Sequence, residues 1–230
     1  MLIELTCVDS TNKYALANFD TLRDRTVISA ETQTAGYGRL GRNWLSPPGA
    51  NIYCSIVLKE QNHNPFLAVL GALAAAQTIR NYHLPAQIKW PNDVLIHGKK
   101  IGGVLAQSNN KGTVLGLGIN INMPAETLVK IDKPATSLLA ETGQTYDKAK
   151  ILREILEKFF VLYDQAQAEG FAKLLEVWQN ELHIIGRKIR IQTVGKEVHG
   201  TVIQVDKDGA LIVETAQGKE RVLTGDVYVI

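Results

Sequence analysis

Residues 31–44 read ETQTAGYGRLGRNW, and the reading of this stretch decides what kind of fold the chain adopts. Gly36, Gly38 and Gly41 alternate here with Arg39 and Arg42. Glycine lets the backbone take positive φ and come close to a ligand. Successive N–H groups in such a turn form a concavity for an anion. Arginine adds a planar fork of donors matched to phosphate or carboxylate oxygens. GYGRLG fits the dinucleotide fingerprint G-x-G-x-x-G, with Glu60 at a tolerable distance for a ribose acid. That fingerprint needs its last glycine to open a helix. Here RNWLSPPG follows, and Pro47-Pro48 forbid a helix. The stretch therefore reads as a glycine-hinged flap over a phosphate-bearing ligand, or as a solvated surface loop.

On its N-terminal side, residues 2–8 read as a strand, and TVISAE (26–31) as a second that delivers Gln33 to the loop. Between them Asp9, Ser10, Thr11 and Asn12 supply cap chemistry for a helix running to about Phe19. The same hydroxyl and N–H groups at a helix start suit a polar head group. On the C-terminal side, residues 50–58 form a nearly continuous apolar strand, and 65–82 a helix that is apolar almost all round and so belongs to the core.

Residues 87–107, QIKWPNDVLIHGKKIGGVLAQ, carry a strand that Pro91 halts, a turn at His97-Gly98 and a returning strand. Lys89, Asn92, Asp93, Lys99 and Lys100 fall within one hairpin-sized unit. Lys99 reads as an edge protector. Asp93, flanked by basic positions, suggests a metal–phosphate arrangement. Gly102-Gly103 in a strand interior implies close approach of something to the backbone. Residues 113–123 form another buried strand, with Gly116 and Gly118 on one face, facing either a helix or a flat ligand, and with Asn120 offering amide groups. Residues 124–145 read as loop with a short turn around 135–141. Residues 147–169 and 171–182 read as amphipathic, structural helices. From Arg187 the texture changes to about five short strands broken at Gly195, Asp208-Gly209, Gln217-Gly218 and Gly225. These imply a small SH3-like barrel. Two parts are expected, 1–185 and 186–230.

The 230 residues, 45% hydrophobic and 21% charged, suit a globular chain. The net charge of +2 gives no general pull toward nucleic acid, and no apolar run is long enough for a bilayer. The N-terminal residues lack the features of a signal peptide. The histidines form no ligand spacing. Cys7 and Cys54 lie in apolar strands and are expected to be small buried hydrophobes. A cytoplasmic protein is the expectation, without nucleic-acid or membrane partners.

DSTN, QTAGYGRLGRNW, SPPGANIYCS, KWPNDV, GKKIGGVLAQ and GLGININM, in this order and with a small barrel behind them, resemble the biotin protein ligases. The resemblance spans nearly the whole chain. It implies an α+β fold: a mixed sheet flanked by helices, related to class II aminoacyl-tRNA synthetase cores, with the barrel beside the active site. It implies activation of biotin by ATP and Mg²⁺ to biotinyl-5′-AMP, then transfer to a lysine of the carrier domain of acetyl-CoA carboxylase or another biotin-dependent carboxylase. By resemblance, Lys100, Arg39, Lys89 and Asp93 are catalytic, with Asp93 the metal ligand. Ser10, Thr11, Asn12, Gln33, Gly36, Tyr37, Gly38, Arg39, Lys100, Gly103, Gly116 and Gly118 would bind biotin. Arg39, Arg42, Trp44, Lys89, Asn92 and Asn120 would bind ATP.

The chain departs from the family at Tyr37, usually arginine, and at Gln107, often an acid, which receives no role. It begins at the catalytic part, without the winged helix some bacterial relatives use on DNA, so operator binding is not expected. Pairing of two copies is left open. The alternatives are a lipoate or octanoate ligase, or a biotin-binding protein without catalysis.

Overall fold

The computed structural model describes residues 1–59 and 66–230. Glu60, and residue 65 at the start of the helix expected over 65–82, lie outside them. The order is β1 (Leu2–Val8), α1 (Thr11–Ala17), β2 (Val27–Gln33), β3 (Ile52–Leu58), α2 (Phe66–Arg80), β4 (Ala86–Lys89), β5 (Asp93–Ile96), β6 (Lys99–Asn109) and β7 (Gly112–Ile119). Then come α3 (Ala125–Leu128), α4 (Leu138–Thr142), α5 (Lys148–Glu169) and α6 (Ala172–Leu182). A run of short strands ends the chain: β8 (Lys188–Gln192), β9 (Glu197–Val205), β10 (Leu211–Thr215), β11 (Gly218–Val222) and β12 (Asp226–Val229).

The first seven strands form one mixed sheet in the order β1-β2-β3-β7-β6-β5-β4. Only β1 and β2 pair in parallel. The last five form an antiparallel sheet, β11-β10-β9-β8-β12. The expected α+β architecture with a separate C-terminal β unit is therefore present. β3 is buried at every position because both of its faces are covered. Ile56 and Leu58 join the large core under α2 and α5, whereas Val57 joins Ala15 and Phe19 on the α1 side. The large core continues through Trp178 of α6 into Leu211 and Val213 of the second sheet, so the two sheets share packed apolar surface. Among the described residues no helix is long and apolar enough to cross a membrane.

Several local expectations change. Residues 87–107 form two successive hairpins, with β4 at the sheet edge and Trp90–Pro91, a cis peptide, in the first turn. β7 ends at Ile119 rather than running to residue 123, and residues 124–145 hold the extra short helix α3. The α1 helix stops at Ala17. Cys54 is buried as expected, and burial pushes its thiol up to about 12, which keeps it an inert packed group. Cys7 is exposed. It lies on the edge strand β1, where the cluster that half-covers Ile3 and Leu5 does not reach it.

Candidate active site

A cavity of about 470 Å³ opens on the α1 side of the large sheet. Its floor is low because the strands present small groups there. Gly116 stands opposite Ser55, and Gly118 lies between Tyr53 and Gly103. The size suits a small ligand.

One end is polar and neutral. Ser10 takes the N-cap position of α1 with extended backbone, yet its side chain makes no cap bond. The expected DSTN cap is thus not built from that hydroxyl, and Ser10 lines the cavity instead. Gln33 Oε1 accepts from Thr11 N–H at 2.9 Å, and Gln33 Nε2 donates to Ser46 Oγ at 3.1 Å. Asn12 Oδ1 accepts from the Ser55 hydroxyl at 2.6 Å. Asn12 Nδ2 donates to Gln107 Oε1 at 2.8 Å, and the same oxygen accepts from the Tyr37 hydroxyl at 2.7 Å. Ser55 and Gln107 received no role from sequence.

The other end is charged. A β-bulge between β5 and β6 sets Asp93 opposite Gly103 and Leu95 opposite Lys100. The extra residue turns Lys100 onto the same face as Asp93 and Gly103, which simple alternation would forbid. Lys100 Nζ then lies 2.6 Å from Asp93 Oδ1. A Cβ on Gly103 would sit 3.1 Å from that ammonium and 3.2 Å from that carboxylate, so glycine leaves room for the pair. The Lys100 backbone is pinned as well. Its N–H donates to Pro134 O at 2.8 Å, and its carbonyl accepts from Thr136 N–H at 2.9 Å.

The glycine stretch closes over these groups. It makes a tight 3-10 turn at Arg39–Gly41 and then continues extended, with no helix after Gly41. Gly36 is buried beside Gln33 and Ser46, where a Cβ would come within 2.7 Å of both side chains, so it shapes the loop from behind the cavity wall. Arg39 donates to Asn92 Oδ1 at 3.0 Å and to Thr224 Oγ1. Burial draws the Arg39 guanidinium below its ordinary pKa, opposed by Asp93 and Asp226. Arg42 binds Asp226 through two bonds of 2.9 and 2.7 Å, and Lys133 reaches the same carboxylate at 2.7 Å. The indole of Trp44 lies against Gly118, with Lys100 Nζ 5.3 Å from its centroid.

Most sequence-selected residues thus meet around one cavity, but some differ from expectation. Lys89 is not at its wall. The ammonium is half-buried over the Tyr228 ring at 5.1 Å, and burial lowers its pKa while Asp93 and Asp226 raise it. Asn92 holds Arg39 and donates to Val104 O. Asn120 lines the cavity but has both ends of its amide engaged, accepting from Asn51 at 3.2 Å and donating to Thr136 O at 3.0 Å. Lys99 lies 3.5 Å from Glu141. Residues 130–135 and Asp226 also form wall, and no local pattern had singled them out.

Asp226 supplies a testable fastening. Burial pushes its carboxyl up, but hydrogen bonds and charge from Arg42 and Lys133 outweigh this and hold it well below the usual carboxylate range. A carboxyl with a depressed folded-state pKa adds stability above its unfolded value of about 4, and loses it only as the pH falls through the folded one. Protease protection of the peptide bonds after Arg39 and Arg42 should therefore persist through pH 4. Asp226→Asn should remove much of that protection at pH 7. Equal cleavage of both proteins at pH 7 would count against the fastening.

Cations converging at one end of a cavity, with amides and hydroxyls at the other, suit a small polar acid held beside phosphates, which is the arrangement an acid-activating ligase needs. The family description "Biotin/lipoate A/B protein ligase family" matches residues 4–123, and "Biotin protein ligase C terminal domain" matches residues 184–229. The chain is 32% identical to the bifunctional ligase/repressor BirA of Bacillus subtilis (strain 168), across 96% of this chain and 71% of that protein. It is also 32% identical to the biotin--[acetyl-CoA-carboxylase] ligase of Paracoccus denitrificans, across 96% and 97%. A solved biotin protein ligase from Aquifex aeolicus, in complex with biotin and ATP, superposes with a TM-score of 0.85 at 26% identity, covering 100% of this chain and 98% of that one. The chain belongs to the biotin/lipoate A/B protein ligase family and carries the C-terminal domain of its biotin protein ligases.

Proposed function

We propose that this chain activates biotin with ATP, forming biotinyl-5′-AMP and pyrophosphate, and then passes the biotinyl group to a lysine on the carrier domain of a biotin-dependent carboxylase. The observation that carries the reading is that a single cavity holds both a neutral head-group set and a cluster of cations. Residues 1–185 supply the catalytic unit. Residues 186–230 add Thr224 and Asp226 to its rim. Consumption of ATP accords with a cytoplasmic enzyme.

The first step joins two anions. The biotin carboxylate is ionised at neutral pH, so no general base is needed. Its oxygen attacks the α-phosphorus, and the bond to the β-phosphate oxygen breaks as pyrophosphate leaves. The protein's task is to hold both anions together and offset their charge. Lys100 serves the carboxylate end. Arg39 and Arg42 serve the phosphates from the loop, and Lys89 adds field from behind Asp93. Ser10, Thr11, Asn12 and Gln33 hold the ureido head over Gly116. Tyr37 and the Gly38 backbone cover the bound group with Gly36 shaping the loop behind them, while Trp44, Asn92 and Asn120 border the nucleotide over Gly118 and Gly103.

Mg²⁺ usually takes one or two protein carboxylates and completes its shell with phosphate oxygens and water. Asp93, partly exposed at the charged end, fits that use, and the described residues form no cluster of three or more His, Cys, Asp or Glu for a dedicated cage. Bound with the nucleotide at Asp93, the ion would offset phosphate charge.

Isothermal titration with biotin, then with ATP and Mg²⁺, followed by mass spectrometry of the protein, tests the reading. Biotin should bind, and a retained mass of biotinyl-5′-AMP should appear only with all three present. Preference for lipoate over biotin in the same assay would move the chain to the lipoate branch.

A further inference from the structure

Gln107 stands outside the roles assigned above, yet two walls of the cavity meet on it. It projects from β6, half-buried. Its Oε1 takes one hydrogen from Asn12 Nδ2 on α1 at 2.8 Å and one from the Tyr37 hydroxyl in the glycine loop at 2.7 Å. A carbonyl oxygen has two lone pairs, so both are used. The partners are 95 and 70 residues away in sequence.

The far side of Asn12 is equally fixed. Its Oδ1 lies 2.6 Å from the hydroxyl of Ser55, which is fully buried. An amide oxygen carries no hydrogen, so Ser55 is the donor in that contact. The amide packs directly on Gly116, where a Cβ, if present, would lie 2.2 Å from the same oxygen. Asn12 therefore has one orientation: oxygen toward Ser55, one N–H toward Gln107, and the second N–H left for the cavity it lines.

We propose that Gln107 is a positioning residue that straps the glycine loop to Asn12. By accepting from both, it fixes Asn12 as a hydrogen donor to the ligand's head group and couples that orientation to closure of the loop at Tyr37. The strap holds the N-terminal side of the loop, whereas Asp226 and Thr224 hold its arginines. With both fastened, a mixed anhydride beneath is kept from water. The ligand's identity rests on the biotin reading; the strap's geometry does not.

Two measurements test it on the full chain: amide hydrogen exchange across residues 36–44 without substrates, and the rate at which preformed biotinyl-5′-AMP is lost from the protein. Loss of one neutral hydrogen bond corresponds to roughly three- to tenfold. Gln107→Leu should raise both rates by that factor and raise the biotin KM. Gln107→Glu, which keeps an acceptor for both donors, should stay within about twofold of the unaltered chain. Tyr37→Phe should raise loop exchange, and the Tyr37→Phe, Gln107→Leu pair should exceed the larger single effect by little, because both act on one link. Unaltered loop exchange in Gln107→Leu, a Glu variant as defective as Leu, or fully additive effects would each overturn the strap. A parent chain that forms no adenylate would instead overturn the biotin reading, and hydrogen exchange would still decide the strap.

Discussion

Lys100→Ala is expected to lower biotin-dependent pyrophosphate exchange by about 10²–10³-fold, the usual cost of removing one well-placed charge-stabilising donor from a reacting centre. The case rests on how rigidly the structure aims this ammonium. The β-bulge turns it to the Asp93 face, Gly103 leaves it room, and residues 134 and 136 clamp its backbone on both sides. Stability should hardly change. The Lys100 and Asp93 side chains are 30% and 29% exposed, and ion pairs open to solvent contribute about 0–1 kcal/mol. Lys100→Arg should recover little activity, because a planar guanidinium is wider than the ammonium now 3.1 Å from the Gly103 Cβ position. Melting temperature and exchange rate measured on the same preparations separate chemistry from folding. An Ala variant with parental exchange would remove Lys100 from the mechanism.

Lys100, Asp93 and Gly103 could be picked from the sequence because they fall in one short segment whose composition is odd for a strand interior. The same holds for the helices: α5 and α6 announce themselves by apolar spacing, and Asp147 caps α5 by accepting from Ala149 and Lys150 N–H groups. What the sequence hid is apposition. Arg42 and Asp226 are 184 residues apart, and nothing local at Asp226 marks it as the acceptor for an arginine in the loop. Gln107 sits in a strand that reads as ordinary until Tyr37 and Asn12 arrive from two other elements. Lys89 shows the related effect: it pairs with Asp93 across the first hairpin and shares its face, yet its ammonium lies over Tyr228 of the second sheet, a neighbour no local pattern announces. Cys7 was misjudged because an apolar neighbourhood in sequence says little about an edge strand with cover on only part of its length.

Gly116→Ala is the second large effect, and it falls on the neutral end of the cavity. Gly116 lies in β7, paired on one side with Ser55 of β3 and on the other with Leu105 of β6, so ladders on both sides hold its backbone in place. The new methyl would stand 2.2 Å from Asn12 Oδ1 and 2.8 Å from Asn12 Cγ. Asn12 must leave, and the bonds to Ser55 and Gln107 break with it. Overpacking costs about 1–3 kcal/mol, and a loss of that size is expected, since the Ser55 hydroxyl keeps Thr11 Oγ1, 2.8 Å away, as a partner. Biotin affinity should fall about 10- to 100-fold as the oriented amide is lost. Two neighbouring glycines calibrate the argument. The Gly102 Cβ position meets the tip of Ile119 at 2.5 Å, a flexible end that can turn away, so Gly102→Ala should cost less in both stability and binding. The Gly118 position meets the Trp44 indole at 2.5 Å, and Trp44 belongs to the loop, so Gly118→Ala should move the indole and weaken ATP more than biotin. Chemical denaturation and titration calorimetry on the three variants measure these rankings directly. If Gly116→Ala were as stable as its parent and bound biotin as tightly, Asn12 would be free to turn, and the neutral end of the cavity would not be the fixed recognition surface described here.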